Sequence, residues 1–222
     1  MKNLIKKRLI ESLEFDLIEN LIKDDYPQSF NMDEFKSLNK FTERVKYCDQ
    51  HLKKISAGSG RIVYMIDNTK VLKLAKNQKG VAQCEVEIQW GGDYYFKSIL
   101  ADVIDSHDDG LWVEMELAKK VSELQFKAMI GVNIYNFGMF LRNRKQENNG
   151  KPKLFTLDPK LEELLNENEF AQSVFEFIDA ANAEPGDLGR TSSYGIVKRD
   201  GHDTIVIVDF GLTNDVYSTY YS

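Results

Sequence analysis

The sequence predicts an α+β fold, and three observations carry the prediction. Residues 1–50 repeat apolar side chains at helical spacing. Residues 51–117 break into short apolar runs separated by turn residues. Residues 118–222 begin helical and close on a β-branched run. At 42% hydrophobic and 11% aromatic, the 222 residues suffice for one compact domain with an extension. Neither repeats nor low-complexity segments interrupt the pattern.

In the first region, Leu4, Ile5, Leu9, Ile10, Leu13 and the stretch from Phe15 to Ile22 recur at helical spacing. Asn31 stands as a helix cap with Glu34 three residues on, and Phe35, Leu38, Phe41 and Val45 line one helical face beyond it. Such helices either pad the strand-rich region or meet a protein partner, and an amphipathic stripe usually faces a core. Next comes a glycine-containing loop within Lys54–Tyr64. Tyr64-Met65-Ile66 and Val71-Leu72-Lys73-Leu74 form a hairpin across Asp67-Asn68. Gly80 to Trp90 is a short helix, and Leu111 to Leu117 another strand.

The polar run Asn143 to Pro152, with Asn148-Asn149-Gly150, predicts an exposed loop. Asp158-Pro159 starts a helix, the Asp as cap and the Pro in the first turn. Its apolar face, Leu161 to Ile178, is long enough to be broken into two helices. Ile205-Val206-Ile207-Val208 reads as a buried strand after the turn Asp200-Gly201, closing a hairpin over Ile196–Val208.

Composition narrows the function. A net charge of −6 argues against binding bare nucleic acid, which calls for a basic face. Cys48 and Cys84 give no disulfide framework and fit a reducing, cytoplasmic setting. With His51, His107 and His202 scattered, they do not make a zinc site. No run of eighteen apolar residues predicts a membrane span, and no signal-peptide core succeeds the basic start.

Several residues stand out chemically. Gly58-Ser59-Gly60 lets backbone amides approach phosphate oxygens without an intervening Cβ. Arg61 beside them is either a phosphate contact or a surface charge. Lys73 lies between apolar neighbours and is costly to bury without an anionic partner, though a strand lysine can also reach the edge. Glu85, Glu87 and Glu114 compete as that partner. Pro185-Gly186-Asp187 is either a catalytic turn or an ordinary one in which Asp187 bonds its own backbone. Asp209 ends a strand and is followed by Phe210-Gly211; such a carboxylate can face a metal in a cleft or be an ordinary solvated strand end. The hairpin brings Asp187 and Asp209 to the same end of two paired strands.

These motifs, in this order, give residues 52–222 a resemblance to a reduced protein-kinase-like fold, and in particular to small kinase-like proteins of tailed bacteriophages. Gly60-Arg61-Ile62-Val63-Tyr64, Lys70 to Asn77, Gly80-Val81-Ala82-Gln83, Ser193 to Val197 and Asp209-Phe210-Gly211 carry it. The resemblance implies a bilobal molecule: a helical extension over 1–50, an antiparallel first lobe with one helix over 51–117, and a reduced helical second lobe over 118–222. It implies ATP and Mg²⁺ as cofactors. In that scheme Gly58, Ser59, Gly60 and Lys73 hold phosphates and Glu87 orients Lys73. Asp209 binds the metal and Asp187 accepts the proton of the attacking hydroxyl. Glu114 and Glu116 lie where a kinase hinge contacts the nucleotide.

The chain also departs from the family pattern. No His-Arg precedes Asp187, and Ser192 or Ser193 stands where the family places its second metal ligand, an Asn. Val63 replaces the third glycine of the loop. Eleven residues come after Gly211, too few for a peptide-docking platform, so the expected acceptor is a small molecule or a partner-presented hydroxyl. Three functions are compatible with this pattern: an ATP-dependent phosphotransferase, a pseudokinase acting through a protein partner, or a structural phage protein. The implied setting is the infected bacterial cytoplasm or the virion.

Overall fold

The computed structural model describes residues 26 to 221, and the helical pattern at Leu4 to Ile22 lies outside them. Two short helices open the described chain, α1 (Met32–Ser37) and α2 (Phe41–His51). Asn31 caps α1 as expected, its side chain accepting the Glu34 amide at 3.0 Å. A five-stranded antiparallel sheet comes next, made from β1 (Lys53–Ala57), β2 (Arg61–Met65), β3 (Lys70–Ala75), β4 (Val103–Ser106) and β5 (Trp112–Glu116). Its order is β1-β2-β3-β5-β4. Between β3 and β4 runs helix α3 (Gln78–Gly91).

Strand periodicity divides this sheet's side chains between two cores. On one face Ile62, Tyr64, Leu72, Leu74 and Trp112 pack with Phe30, Phe35, Tyr47 and Cys48, so the described N-terminal helices pad the sheet. On the other face Val71, Ala75, Val113 and Met115 pack with Val81 and Cys84 of α3 and continue into the helical core.

A second sheet, β6-β7-β8, comprises β6 (Lys119–Lys120), β7 (Tyr194–Arg199) and β8 (His202–Ile207). Its hairpin turns at Asp200 (φ 49°) and Gly201 (φ 81°), the paired left-handed conformations that a two-residue turn needs. Helices α4 (Glu123–Ile130), α5 (Ile134–Asn148), α6 (Pro159–Glu167) and α7 (Glu169–Ala180) build the rest, and α8 (Asn214–Tyr220) closes the described chain.

Two expectations need correction. The run Asn143 to Pro152 is not a loop throughout: α5 continues to Asn148, and only residues 149–152 lie beyond it as an exposed turn. Asn143 is 1% exposed; its amide donates to the Phe155 carbonyl at 2.8 Å and accepts from the Leu154 and Phe155 amides at 3.0 Å. Its polarity thus satisfies buried backbone instead of facing water. In addition, residues 54–57, read as part of the glycine-containing loop, belong to strand β1 (Lys53–Ala57). All five residues are exposed, and only pairing to β2 makes it a strand. The long helical pattern after Asp158 divides at Asn168, which ends α6 and caps α7 by accepting the Ala171 amide at 2.9 Å.

Candidate functional site

The register of β2 on β3 sets the site. Val63 lies opposite Lys73, so Arg61, two residues away, projects from the same face as Lys73. Helix α3 crosses that face and supplies Glu87. Its start is fixed by Asn77, whose side chain accepts the Gly80 amide at 3.1 Å. It is also fixed by close approach to the glycine loop, since a Cβ on Gly80 would stand 2.2 Å from the Gly60 carbonyl. Gly211 lies equally tight on the helix: a Cβ there would meet the Gln83 carbonyl at 2.4 Å. Close packing at both glycines therefore brings the loop, the helix and Asp209-Phe210-Gly211 together.

At their meeting point four charged side chains interlock. Lys73 Nζ donates to Glu87 Oε1 at 2.7 Å and to the Val208 carbonyl at 2.5 Å. Arg61 Nη2 donates to Asp209 Oδ1 at 2.5 Å, and Arg61 Nη1 lies 2.6 Å from Glu87 Oε2. The Phe210 amide points at Glu87 Oε1 over 3.4 Å. Lys73, Arg61 and Glu87 are buried at 6%, 7% and 0% exposure, whereas the Asp209 side chain is 47% exposed. Two cations thus face two carboxylates, and Asp209 is the member open to solvent.

The charges act on one another. The protein packed around Asp209 tends to raise its carboxyl, but the charges of Arg61 and Lys73 and the Arg61 hydrogen bond outweigh this and hold it below its ordinary value. Burial alone would lower the Arg61 guanidinium, yet Glu87 and Asp209 hold it firmly charged. Asp187 goes the other way: burial, then the charge of Asp209, push its carboxyl up against the pull of Arg190 and Arg61. Two neighbouring carboxylates of opposite shift are the pattern expected where one stays ionised and the other handles a proton.

Asp187 sits on the loop before a 3₁₀ turn, Thr191–Ser193, with Arg190 Nη1 at 3.3 Å from its carboxylate. The Ser193 hydroxyl donates to the Asp187 carbonyl at 2.7 Å and is buried, so it braces the loop. Ser192 beside it is exposed. Gly58 and Ser59 form the exposed tip of the β1–β2 turn, which closes by a Gly58 amide to Arg61 carbonyl bond at 2.8 Å; Gly60 is buried beneath. Glu87 is the glutamate that meets Lys73, and Glu85 is exposed. Glu114 is buried and accepts the Tyr26 hydroxyl at 2.6 Å. Glu116 is forked onto Arg199 at 2.5 and 2.6 Å. Both of these carboxylates therefore have partners within the fold.

Sequence reading left Arg61 between a phosphate contact and a surface charge, and the structure removes the second alternative. Counting two residues from Val63, the partner of Lys73, would have found it. From sequence, the aromatic tail over 216–222 could cover the cleft, dock on a partner or pack as a closing segment; its pairing with Gln83 was not legible. The Tyr221 hydroxyl accepts from Gln83 Nε2 at 3.1 Å, lies 3.4 Å from Ser59 Oγ, and has Lys79 over its ring at 4.2 Å. This ties the end of the described chain to the glycine loop.

Among the described residues no group of three or more His, Cys, Asp or Glu side chains is placed to hold a metal. Asp209, with one oxygen on Arg61 and its side chain 47% exposed, is the carboxylate here that could serve as a single protein ligand to a cation. Mg²⁺ commonly takes one or two carboxylates and completes its shell with phosphate and water oxygens. The Arg61 guanidinium is already paired with two carboxylates, Glu87 through Nη1 and Asp209 through Nη2.

No family model and no curated protein matches the chain. Among solved structures it is similar to an aminoglycoside 2'-phosphotransferase-IIIa mutant in its GDP complex. Identity is 15% and the TM-score 0.37, over 78% of this chain and 72% of that one. It is similar to APH(2")-IIIa with GDP and kanamycin at 12% identity and TM-score 0.33, over 81% and 70%. It is also similar to ADP-bound aminoglycoside phosphotransferase APH(2'')-Ib at 10% and 0.34, over 77% and 69%. At likeness this loose, function rests on the chain's own residues.

Proposed function

We propose that the chain is a nucleotide-binding phosphotransferase of kinase-like fold, with its site at the meeting of glycine loop, α3 and the Asp209 strand end. The observation that carries this is the buried Lys73–Glu87 pair, joined through Arg61 to the half-exposed Asp209 of Asp-Phe-Gly. A lysine so placed presents a fixed positive charge to phosphate oxygens, and Glu87 keeps it oriented. The turn at Gly58-Ser59-Gly60 closes over the same region with small residues. Asp187, its carboxyl raised, accepts the proton of an attacking hydroxyl. When bound, magnesium would supply charge neutralisation at the phosphates, with Asp209 as its protein ligand.

A second reading, nucleotide binding without transfer, is favoured by one observation: Arg61 already holds Asp209 Oδ1. Calorimetric titration of ATP with magnesium separates the readings from their absence. Saturable binding that is lost in Lys73→Ala and in Asp209→Asn supports the site, and phosphate release that disappears in Asp187→Ala supports transfer. A well-folded wild type that takes up no ATP or GTP would remove both.

A further inference from the structure

Arg61 is the one member of the charged cluster without a part in the phosphotransfer scheme. Without it, Lys73, Glu87 and Asp209 would sum to one negative charge, centred on two carboxylates held within one guanidinium's span. Such a pair attracts divalent cations. With Arg61 in place the four charges sum to zero, and one oxygen of the exposed carboxylate is occupied at 2.5 Å. The guanidinium reaches both carboxylates at once, Asp209 Oδ1 at 2.5 Å and the fully buried Glu87 Oε2 at 2.6 Å.

We propose that Arg61 is a built-in counter-cation that holds the metal-binding oxygen of Asp209 until a polyphosphate arrives, and so couples metal entry to nucleotide entry. The purpose of the coupling rests on the phosphotransferase reading. The physical reason is charge balance. A divalent ion arriving alone must displace the guanidinium from Asp209 and then sits beside its positive charge. A polyphosphate brings the negative charge that Arg61 can turn towards, pivoting on Glu87, and this releases Asp209 to the metal. Arg61 suits the role because a guanidinium presents donors on two edges at once and does not lose its proton.

The test uses Mn²⁺ alone as the probe, its free concentration read by electron paramagnetic resonance, on wild type, Arg61→Gln and Arg61→Lys. Arg61→Gln is expected to bind Mn²⁺ at least about tenfold more tightly than wild type, within the usual range of coupling between ligands. Adding Asp209→Asn should abolish the gain. Arg61→Lys should shift the same way, since a single ammonium cannot fork onto two carboxylates, and it carries the comparison if Arg61→Gln fails to melt cooperatively. Equal Mn²⁺ affinity in wild type and the folded variants overturns the proposal. A gain in Mn²⁺ affinity beside a wild type that binds no nucleotide would retain the counter-cation and defeat the nucleotide reading.

Discussion

Replacing Glu87 with Gln should be the most damaging isosteric change in the described chain. Glu87 is fully buried and faces Lys73 at 2.7 Å, Arg61 at 2.6 Å and the Phe210 amide at 3.4 Å. With an effective dielectric of about 20, each charge contact is worth at most about 6 kcal/mol before dehydration is subtracted. Burying the ions offsets much of that, and removing one partner of a buried pair costs about 3–5 kcal/mol because the survivor stays buried and uncompensated. Here two cations are left with only the half-exposed Asp209. In a chain of this size each kcal/mol moves the melting temperature by about 2–4 °C, so a fall of about 6–20 °C is expected. Thermal melts monitored by circular dichroism at pH 7 measure it, with exposed Glu85→Gln as control, expected within about 0.5 kcal/mol of wild type. A Glu87→Gln protein that melts within about 2 °C of wild type would refute the buried cluster.

The same geometry sets other outcomes. Asp209 has a lowered carboxyl, so its contribution to stability is present above the ordinary carboxylate value and lost as pH falls through the depressed one; Asp209→Asn should flatten the acid limb of a stability–pH profile. Asp187 has a raised carboxyl, so its contribution is greatest in acid and lost as pH rises through the raised value. Asp187→Asn should therefore raise the melting temperature at pH 7, with the gain fading in acid. Gly80→Ala would ordinarily favour a helix, but the 2.2 Å approach to the Gly60 carbonyl should make it cost about 1–3 kcal/mol, read by denaturant melts. Tyr221→Phe removes the hydroxyl that binds Gln83 and should cost about 0.5–1.5 kcal/mol, read by denaturant melts.

The sequence made the hairpins and capped helices legible because their signals are local. Asn31, Asp158 and Asp200-Gly201 all act where they were expected to. Lys73 and the Asp-Phe-Gly strand end were legible as an apolar context around a charge. Non-local facts were not. β1 has no buried face and exists through its pairing with β2. Asn143 looked like loop because its backbone partners, Leu154 and Phe155, come only after the turn beyond α5. The choice between Glu85 and Glu87 depended on the rotation of α3, which the contacts of Gly80 and Gly211 set. Glu116 gave no sign of Arg199, its partner 83 residues away.

Hydrogen–deuterium exchange with and without ATP and magnesium tests the central claim most directly, because it locates the ligand as well as detecting it. The account predicts slowed exchange confined to the glycine loop around Gly58–Arg61, β3 about Lys73, and the segment from Ile207 to Gly211, all lost in Lys73→Ala. Protection centred instead on the groove between α2 and β2, lined by Phe41, Val45, Lys46, Asp49 and Lys76, or no protection at saturating nucleotide, would contradict it.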